Sequence, residues 1–342
     1  MLAALAIGCA ALFGCPACAF AESAQGKLSE ITFADYSPIS SNVELARRLL
    51  SPLKNAKLQK MLAAGLRLSN QPINLSQEKF ALYVPPHMPR AGYGLIVYVS
   101  PWNVARLPDG WGPVLDENGM ILVTAAKSGN GQGALARREP LALLAETNVA
   151  QRYRLDPAHI YIAGFSGGSR VSQRVALGYP DIFRGAILNS GSDPIGNTTV
   201  PLPPRDLFAQ FRTRSHLVFL TGDQDADVIA TDTATLHSLR DWCFFRVDQR
   251  TTMGGGHDPI DAAALSRALD ILAAPVDPLT AQIASCSDNI DAEMTAKLTD
   301  VQKLIAAGRR AEAKQELTDI DAHYGGLAAP LSVELAKKLD SP

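Results

Sequence analysis

Short apolar runs alternate with longer amphipathic ones along most of the chain. Lys79–Val84, Gly94–Val99, Met120–Ala125, His159–Ala163, Gly185–Asn189 and His216–Leu220 are dense in Val, Ile, Leu, Tyr and Phe, and Gly, Pro or Asp punctuate the connections. That texture predicts buried strands, with Phe244–Val247 a further candidate. Between them, Glu139–Tyr153, Gly167–Gly178 and a stretch from about Ile260 to Ala273 carry helical patterns. Strands alternating with helices predict βαβ units, hence an α/β fold with a mostly parallel sheet flanked by helices.

The two ends have a different texture. Ser41-Asn42-Val43-Glu44 is a capping box, in which the serine and glutamate satisfy amides left free at a helix start. It opens an amphipathic stretch to about Leu68, broken at Pro52. Residues 22–78 therefore read as a helical, peripheral leader. After Pro275-Val276-Asp277-Pro278, Leu298, Val301 and Ile305 recur at helical spacing, Gly308 interrupts, and Leu317 and Ile320 lie on a second helix. Residues 276–342 read as a helical hairpin capping the central domain, residues 79–275.

Residues 1–21 carry no charge, Leu2–Phe13 is apolar, and Ala19-Phe20-Ala21 meets the small-x-small rule for cleavage. The expectation is a cleaved signal peptide, although its start lacks Lys or Arg. The mature protein would be secreted or periplasmic, with no membrane span. Two less favoured alternatives are a lipoprotein, for which Leu12-Phe13-Gly14-Cys15 is a loose lipobox, and a retained membrane anchor, since the run is almost long enough to span. Cys9, Cys15 and Cys18 leave with the signal. Cys243 and Cys286 remain, an even number in an oxidising compartment, and a disulfide between them is expected.

Composition narrows the function. Of 342 residues 47% are hydrophobic and 19% charged, which excludes a disordered chain. Lys plus Arg is 32 against 34 Asp plus Glu, so the chain lacks the basic footprint of a nucleic-acid binder.

Candidate chemistry centres on Gly164-Phe165-Ser166-Gly167-Gly168. A Gly-x-Ser-x-Gly turn between a strand and a helix is a nucleophile elbow: glycines allow the tight turn, and the serine Oγ stands clear of the sheet. A serine nucleophile needs a base, and the base needs an orienting acid, in the chain order Ser, acid, His on an α/β-hydrolase sheet. After strand His216–Leu220 comes Thr221-Gly222-Asp223-Gln224-Asp225-Ala226-Asp227-Val228, and strand-Gly-x-x-Asp-x-x-Val selects Asp225. Asp223 and Asp227 read as loop residues. Calcium is disfavoured, because Val228 and Ala234 stand where an EF-hand loop needs Gly and Glu. The base is His257, in Gly254-Gly255-Gly256-His257. His159 and His216 begin strands, His87 lies between prolines, and His237 and His323 fall in helical patterns.

The oxyanion hole would take the amide of Gly167 and one from the loop Ser100-Pro101-Trp102-Asn103, where Trp102 or Asn103 is the donor because proline has no N–H. Lys127-Ser128-Gly129-Asn130-Gly131-Gln132-Gly133 lacks the Gly-Lys-Ser/Thr ending of a phosphate loop. It reads as a substrate-side wall, with Asn130 and Phe165 at the pocket. This chemistry needs neither metal nor organic cofactor.

At these residues the chain resembles the secreted polyhydroxybutyrate depolymerase and feruloyl esterase-like group of α/β-hydrolases. The matching runs are Tyr83-Val84-Pro85-Pro86, Tyr153–Tyr161, Gly164–Arg170 and Gly178–Gly185, within a region from about Lys79 to Ala273. The resemblance implies Ser166 as nucleophile, Asp225 as acid and His257 as base. It also implies a secreted serine esterase acting on a small-molecule or polymeric ester, with hydroxycinnamoyl or hydroxyalkanoate esters favoured. Many relatives carry His-Gly after the early strand, where this chain has Ser100-Pro101. A serine peptidase on the same fold, or an inactive hydrolase-fold binding protein, are the alternatives.

Overall fold

Strands β1 (Ser29–Ile31), β2 (Phe80–Tyr83), β3 (Tyr93–Val99), β4 (Met120–Ala125), β5 (Leu155–Phe165), β6 (Gly185–Asn189), β7 (His216–Gly222) and β8 (Val247–Thr252) form one sheet. Their order in the sheet is β1-β2-β4-β3-β5-β6-β7-β8. The computed structural model describes residues 29–275 and 279–340. The expected signal peptide and Val276-Asp277-Pro278 lie outside the described residues. β2 runs antiparallel to both neighbours, and every pairing from β4 to β8 is parallel. With helices on both faces and the Gly-x-Ser-x-Gly turn at the end of central β5, this is an α/β-hydrolase fold.

Alternation along the strands explains the two helical layers, because successive side chains point to opposite faces. Ile96, Tyr98, Leu122, Tyr161, Ala163, Phe165 and Val218 pack on one face, against α3 (Trp111–Asn118) and α8 (Ala262–Ala273). Leu95, Val97, Val99, Ile121, Val123, Ile162, Leu188 and Phe219 pack on the other. That second face is covered by α1 (Asn42–Leu49), α4 (Glu139–Arg152), α5 (Gly167–Gly178) and α6 (Arg205–Arg214), among others. Strands buried on both sides read as continuous apolar runs, which is why the central ones were legible.

Three elements differ from expectation. The leader is not peripheral: it supplies edge strand β1, and Phe33, Leu45, Leu49, Ile73 and Leu75 are buried in the main core. The final strand is Val247–Thr252 rather than Phe244–Val247, since Phe244 is buried in the turn before it. β8 pairs with one neighbour and is mostly polar, so hydrophobicity did not mark it. The C-terminal part holds three helices where a hairpin was expected: α9 (Thr280–Ala306), α10 (Arg310–Tyr324) and α11 (Leu331–Asp340). Their Met294, Leu298, Val301, Leu317, Ile320 and Leu335 join the same core as Phe208 and Phe211 of α6.

Two devices fasten that tail. Asp321 of α10 accepts from Ser51 Oγ at 2.5 Å and from the Leu53 amide at 3.0 Å, capping α2 (Pro52–Ala63), whose own Ser51 makes no side-chain cap bond. Cys243, after α7 (Ala226–Asp241), is bonded to Cys286 of α9 across a sequence separation of 43. A loop of that length is worth roughly 4 kcal/mol in the chain-entropy model. Cys286→Ser should therefore lower the unfolding free energy by roughly 2–4 kcal/mol in denaturant titration, and reductant should destabilise only the parent.

A buried carboxyl sets a pH dependence. Glu146 of α4 is buried, and burial, the largest influence, pushes it from 4.5 to about 7. Its protonated form is thus favoured by folding. The contribution is full below about 4.5 and is lost as pH rises through about 7. Glu146→Gln should flatten this decline and raise the unfolding midpoint at pH 8, by up to roughly 3 kcal/mol of stability. Unfolding curves of both proteins from pH 5 to about 8.5 test this; parallel curves would reject it.

Candidate active site

Ser166 sits at the turn between β5 and α5 with φ 55° and ψ −125°, a conformation that costs a non-glycine residue roughly 1–3 kcal/mol. The turn closes because its neighbours are glycines. A Cβ on Gly164 would lie 2.4 Å from the Gly168 carbonyl carbon, and one on Gly168 would lie 1.9 Å from the Val99 oxygen. The strained serine is held by its amide, which donates to Asn189 O at 2.8 Å.

From there a continuous hydrogen-bonded chain runs outward. His257 Nε2 lies 2.8 Å from Ser166 Oγ, and His257 Nδ1 lies 2.6 Å from Asp225 Oδ2. A carboxylate only accepts, so Nδ1 carries the hydrogen; Nε2 of the neutral ring then accepts from the serine hydroxyl. Asp225 stands at the N-cap of α7, where aspartate usually caps its own helix. Here it makes no cap bond and is directed to His257. The Asp225 side chain is 11% exposed and that of His257 45%, so the imidazole meets solvent while the carboxylate is sheltered.

Backbone contacts bring the Asp225 and His257 loops together. The amides of Asp223 and Gln224 donate to Thr252 O and Gly255 O at 3.1 and 3.0 Å. A Cβ on Gly222 would lie 2.2 Å from Gly255 O, so this approach requires glycine. Asn189 at the end of β6 ties the serine to the histidine loop. Its Nδ2 donates to Leu220 O and Asp258 O, and its Oδ1 accepts from the Ile260 amide at 2.9 Å. Asn189→Ala leaves the buried Ile260 amide without its acceptor, while Leu220 O keeps the Ser190 amide. It should cost about 1–3 kcal/mol and release the His257 loop, read as lower Tm together with lower kcat. An unchanged Tm would reject that role. Beneath the acid loop, buried Asp232 accepts from Ser192 Oγ and Thr221 Oγ1, both at 2.5 Å. Burial, the largest influence, pushes the Asp232 carboxyl up despite these donors.

The expected oxyanion donors are placed unequally. Gly167 is the first residue of α5, so its amide has no intrahelical acceptor and stays available beside Ser166. The Trp102 amide is turned back to Ser100 Oγ at 3.0 Å. Asn103 stitches its loop to the wall loop: its carbonyl accepts from the Lys127 amide at 2.7 Å and its Oδ1 from the Gly129 amide at 3.1 Å. Phe165 is buried, with its ring 5.0 Å from His257 and 5.7 Å from Trp102. Asn130 is exposed, and its side chain fills the space over Gly167, where a Cβ would lie 2.3 Å from its Oδ1. The structure thus brings Ser166, Asp225, His257, Gly167, Asn130, Phe165 and Trp102 to one place.

The other candidates stand apart. His159 pairs with Asp156 and His216 with Asp248, His323 packs at a tilt against Trp242, and His87 and His237 are exposed. Sequence reasoning missed Asn189, Asp232 and Arg138. A polar Asn-Ser-Gly-Ser run ending an apolar strand was the available signal for the first. Arg138 left no signal: nothing local marks an arginine that turns inward.

No protein-family model matches the chain, and no curated protein matches it by sequence. Similar solved structures include a ferulic acid esterase (16% identity, 57% of this chain and 91% of that one, TM-score 0.42). Another is the acetyl xylan esterase from Aspergillus awamori (13%, 58% and 96%, TM-score 0.43). A third is a dipeptidyl aminopeptidase IV homologue from Bacteroides ovatus (15%, 56% of this chain, TM-score 0.40), of which the chain spans 33%.

Proposed function

We propose that this protein is an exported serine hydrolase that cleaves carboxylic esters through Ser166, His257 and Asp225. The observation that carries the reading is the chain of two hydrogen bonds, 2.8 and 2.6 Å, from Ser166 Oγ through His257 to Asp225. As Ser166 Oγ attacks the ester carbonyl, His257 Nε2 takes its proton. The Gly167 amide, with one from the Trp102-Asn103 loop, stabilises the tetrahedral oxyanion. His257 then protonates the departing alkoxide, which leaves as the alcohol and an acyl-enzyme on Ser166. A water, deprotonated by His257, attacks the acyl carbon; the acid departs and the serine recovers its proton. Asp225 keeps the imidazole in the required tautomer and stabilises the imidazolium.

Phe165 and Trp102 give the site an aromatic wall, which suits a hydroxycinnamoyl or hydroxyalkanoate acyl group. The Cys243–Cys286 disulfide and the apolar N-terminal run both support export. The test is hydrolysis of p-nitrophenyl acetate by the mature protein with fluorophosphonate labelling, followed by feruloyl, hydroxybutyrate and peptide substrates. The expected result is labelling at Ser166 and ester turnover exceeding peptide turnover. Neither turnover nor labelling would overturn the reading, and peptide preference would overturn the ester assignment.

A further inference from the structure

Residues Ala134–Arg138 form a π-helical turn ahead of α4, in which Gly133 O accepts from the amides of both Arg137 and Arg138. Such turns are rare and concentrate at functional sites. This one sends two consecutive arginines apart. Arg137 is partly exposed, forming a fork with Glu78 and donating to Lys127 O. Arg138 is 5% exposed and points inward.

Its guanidinium meets three backbone carbonyls: Ser128 O at 2.8 Å, and Gly167 O and Ser100 O each at 3.1 Å. The adjacent Glu139 favours the cation by its charge but pairs with Arg174, at 2.6 Å. Burial lowers the affinity of Arg138 for its proton, so the fold bears a cost in keeping a cation here. The three acceptors identify what the cation does. Ser100 precedes the Pro101–Asn103 loop, Gly167 begins α5, and Ser128 belongs to the wall loop that carries Asn130. These are the three segments that meet around the expected oxyanion. Each acceptor takes a different nitrogen of the fork, Nε for Ser128, Nη1 for Gly167 and Nη2 for Ser100, a spread that the single nitrogen of a lysine does not span.

We infer that Arg138 is a positioning residue of the oxyanion hole, setting the separation between the Gly167 amide and the Trp102-Asn103 loop while touching no substrate. The inference rests on the reading of Ser166 as nucleophile.

The test is steady-state hydrolysis of p-nitrophenyl acetate by Arg138→Met and Arg138→Lys, each rate divided by the serines that a fluorophosphonate finally labels. That normalisation removes unfolded protein from the comparison. Loss of one oxyanion donor typically costs about 10²–10³ in rate. Arg138→Met should lose about 100-fold in kcat with KM within about threefold, Arg138→Lys should recover only part, and millimolar guanidinium should raise the rate of Arg138→Ala. A kcat within about threefold of the parent in either of the first two variants would overturn the inference, as would a loss confined to KM. Should Arg138→Met not fold, the Arg138→Lys result decides alone. Parental turnover in Ser166→Ala would instead bring down the serine-hydrolase reading itself.

Discussion

Ser166→Ala is expected to lower kcat on p-nitrophenyl acetate by roughly 10⁴–10⁶ while leaving the protein folded. On the proposed mechanism the substitution removes the atom that would form the acyl-enzyme, so no partial route through that intermediate remains. What survives is a small rate from the oxyanion donors acting on a water molecule near His257. Stability should hold or rise slightly, because only one hydroxyl, hydrogen-bonded to a half-exposed imidazole, is lost. The measurement is a pair of progress curves on parent and variant, with thermal unfolding recorded on the same samples. Equal rates would mean that the Ser166–His257–Asp225 chain is not the machinery. His257→Ala should lose a comparable factor, because residues acting as one unit are not additive: the double variant should be little worse than either single one.

Gly168→Ala is the second large effect, and it acts through the fold. Its Cβ would lie 1.9 Å from the Val99 carbonyl oxygen and 3.3 Å from the Ser100 carbonyl carbon. Both are backbone atoms at the end of β3, so no flexible side chain can yield. Either α5 lifts off the sheet, or β3 and the Ser100–Asn103 loop shift outward. The first loses packing at Val171 and Val175, which are buried in the main core. The second separates the Trp102-Asn103 loop from Gly167. A cost of about 3 kcal/mol or more is expected, with near-complete loss of turnover. Gly131→Ala is the control: it has nothing within 4 Å of an added Cβ, and its stability should stay within about 0.5 kcal/mol of the parent. Chemical denaturation of both variants decides between packing strain at Gly168 and a general intolerance of substitution at glycines around the site.

Taken together, the two substitutions separate chemistry from scaffold. Ser166→Ala should stop turnover without lowering the unfolding midpoint. Gly168→Ala should lower the two together, because the same close approach builds the core and sets the site.

The central sheet, the elbow and the order Ser166, Asp225, His257 were all legible in the linear chain. Strands buried on both faces must be apolar throughout, and an elbow must place glycines two residues either side of its serine. Both are local requirements written at fixed spacing. The edge strands were not legible in this way. β8 is a strand because its backbone pairs with β7, and β1 because it pairs with β2; neither condition imposes a hydrophobic pattern on the segment itself. Nor was the placement of Arg138 or Asn189. Arg138 meets Ser100 and Gly167 across 38 and 29 positions, and Asn189 reaches Ile260 across 71. Their acceptors and donors are mostly backbone groups, which every residue carries, so no residue type at the far end announces the contact. Such groups acquire partners only when the strands have been brought side by side, and that is why Ser166, Asp225 and His257 could be proposed from the chain while the frame that holds them needed three dimensions.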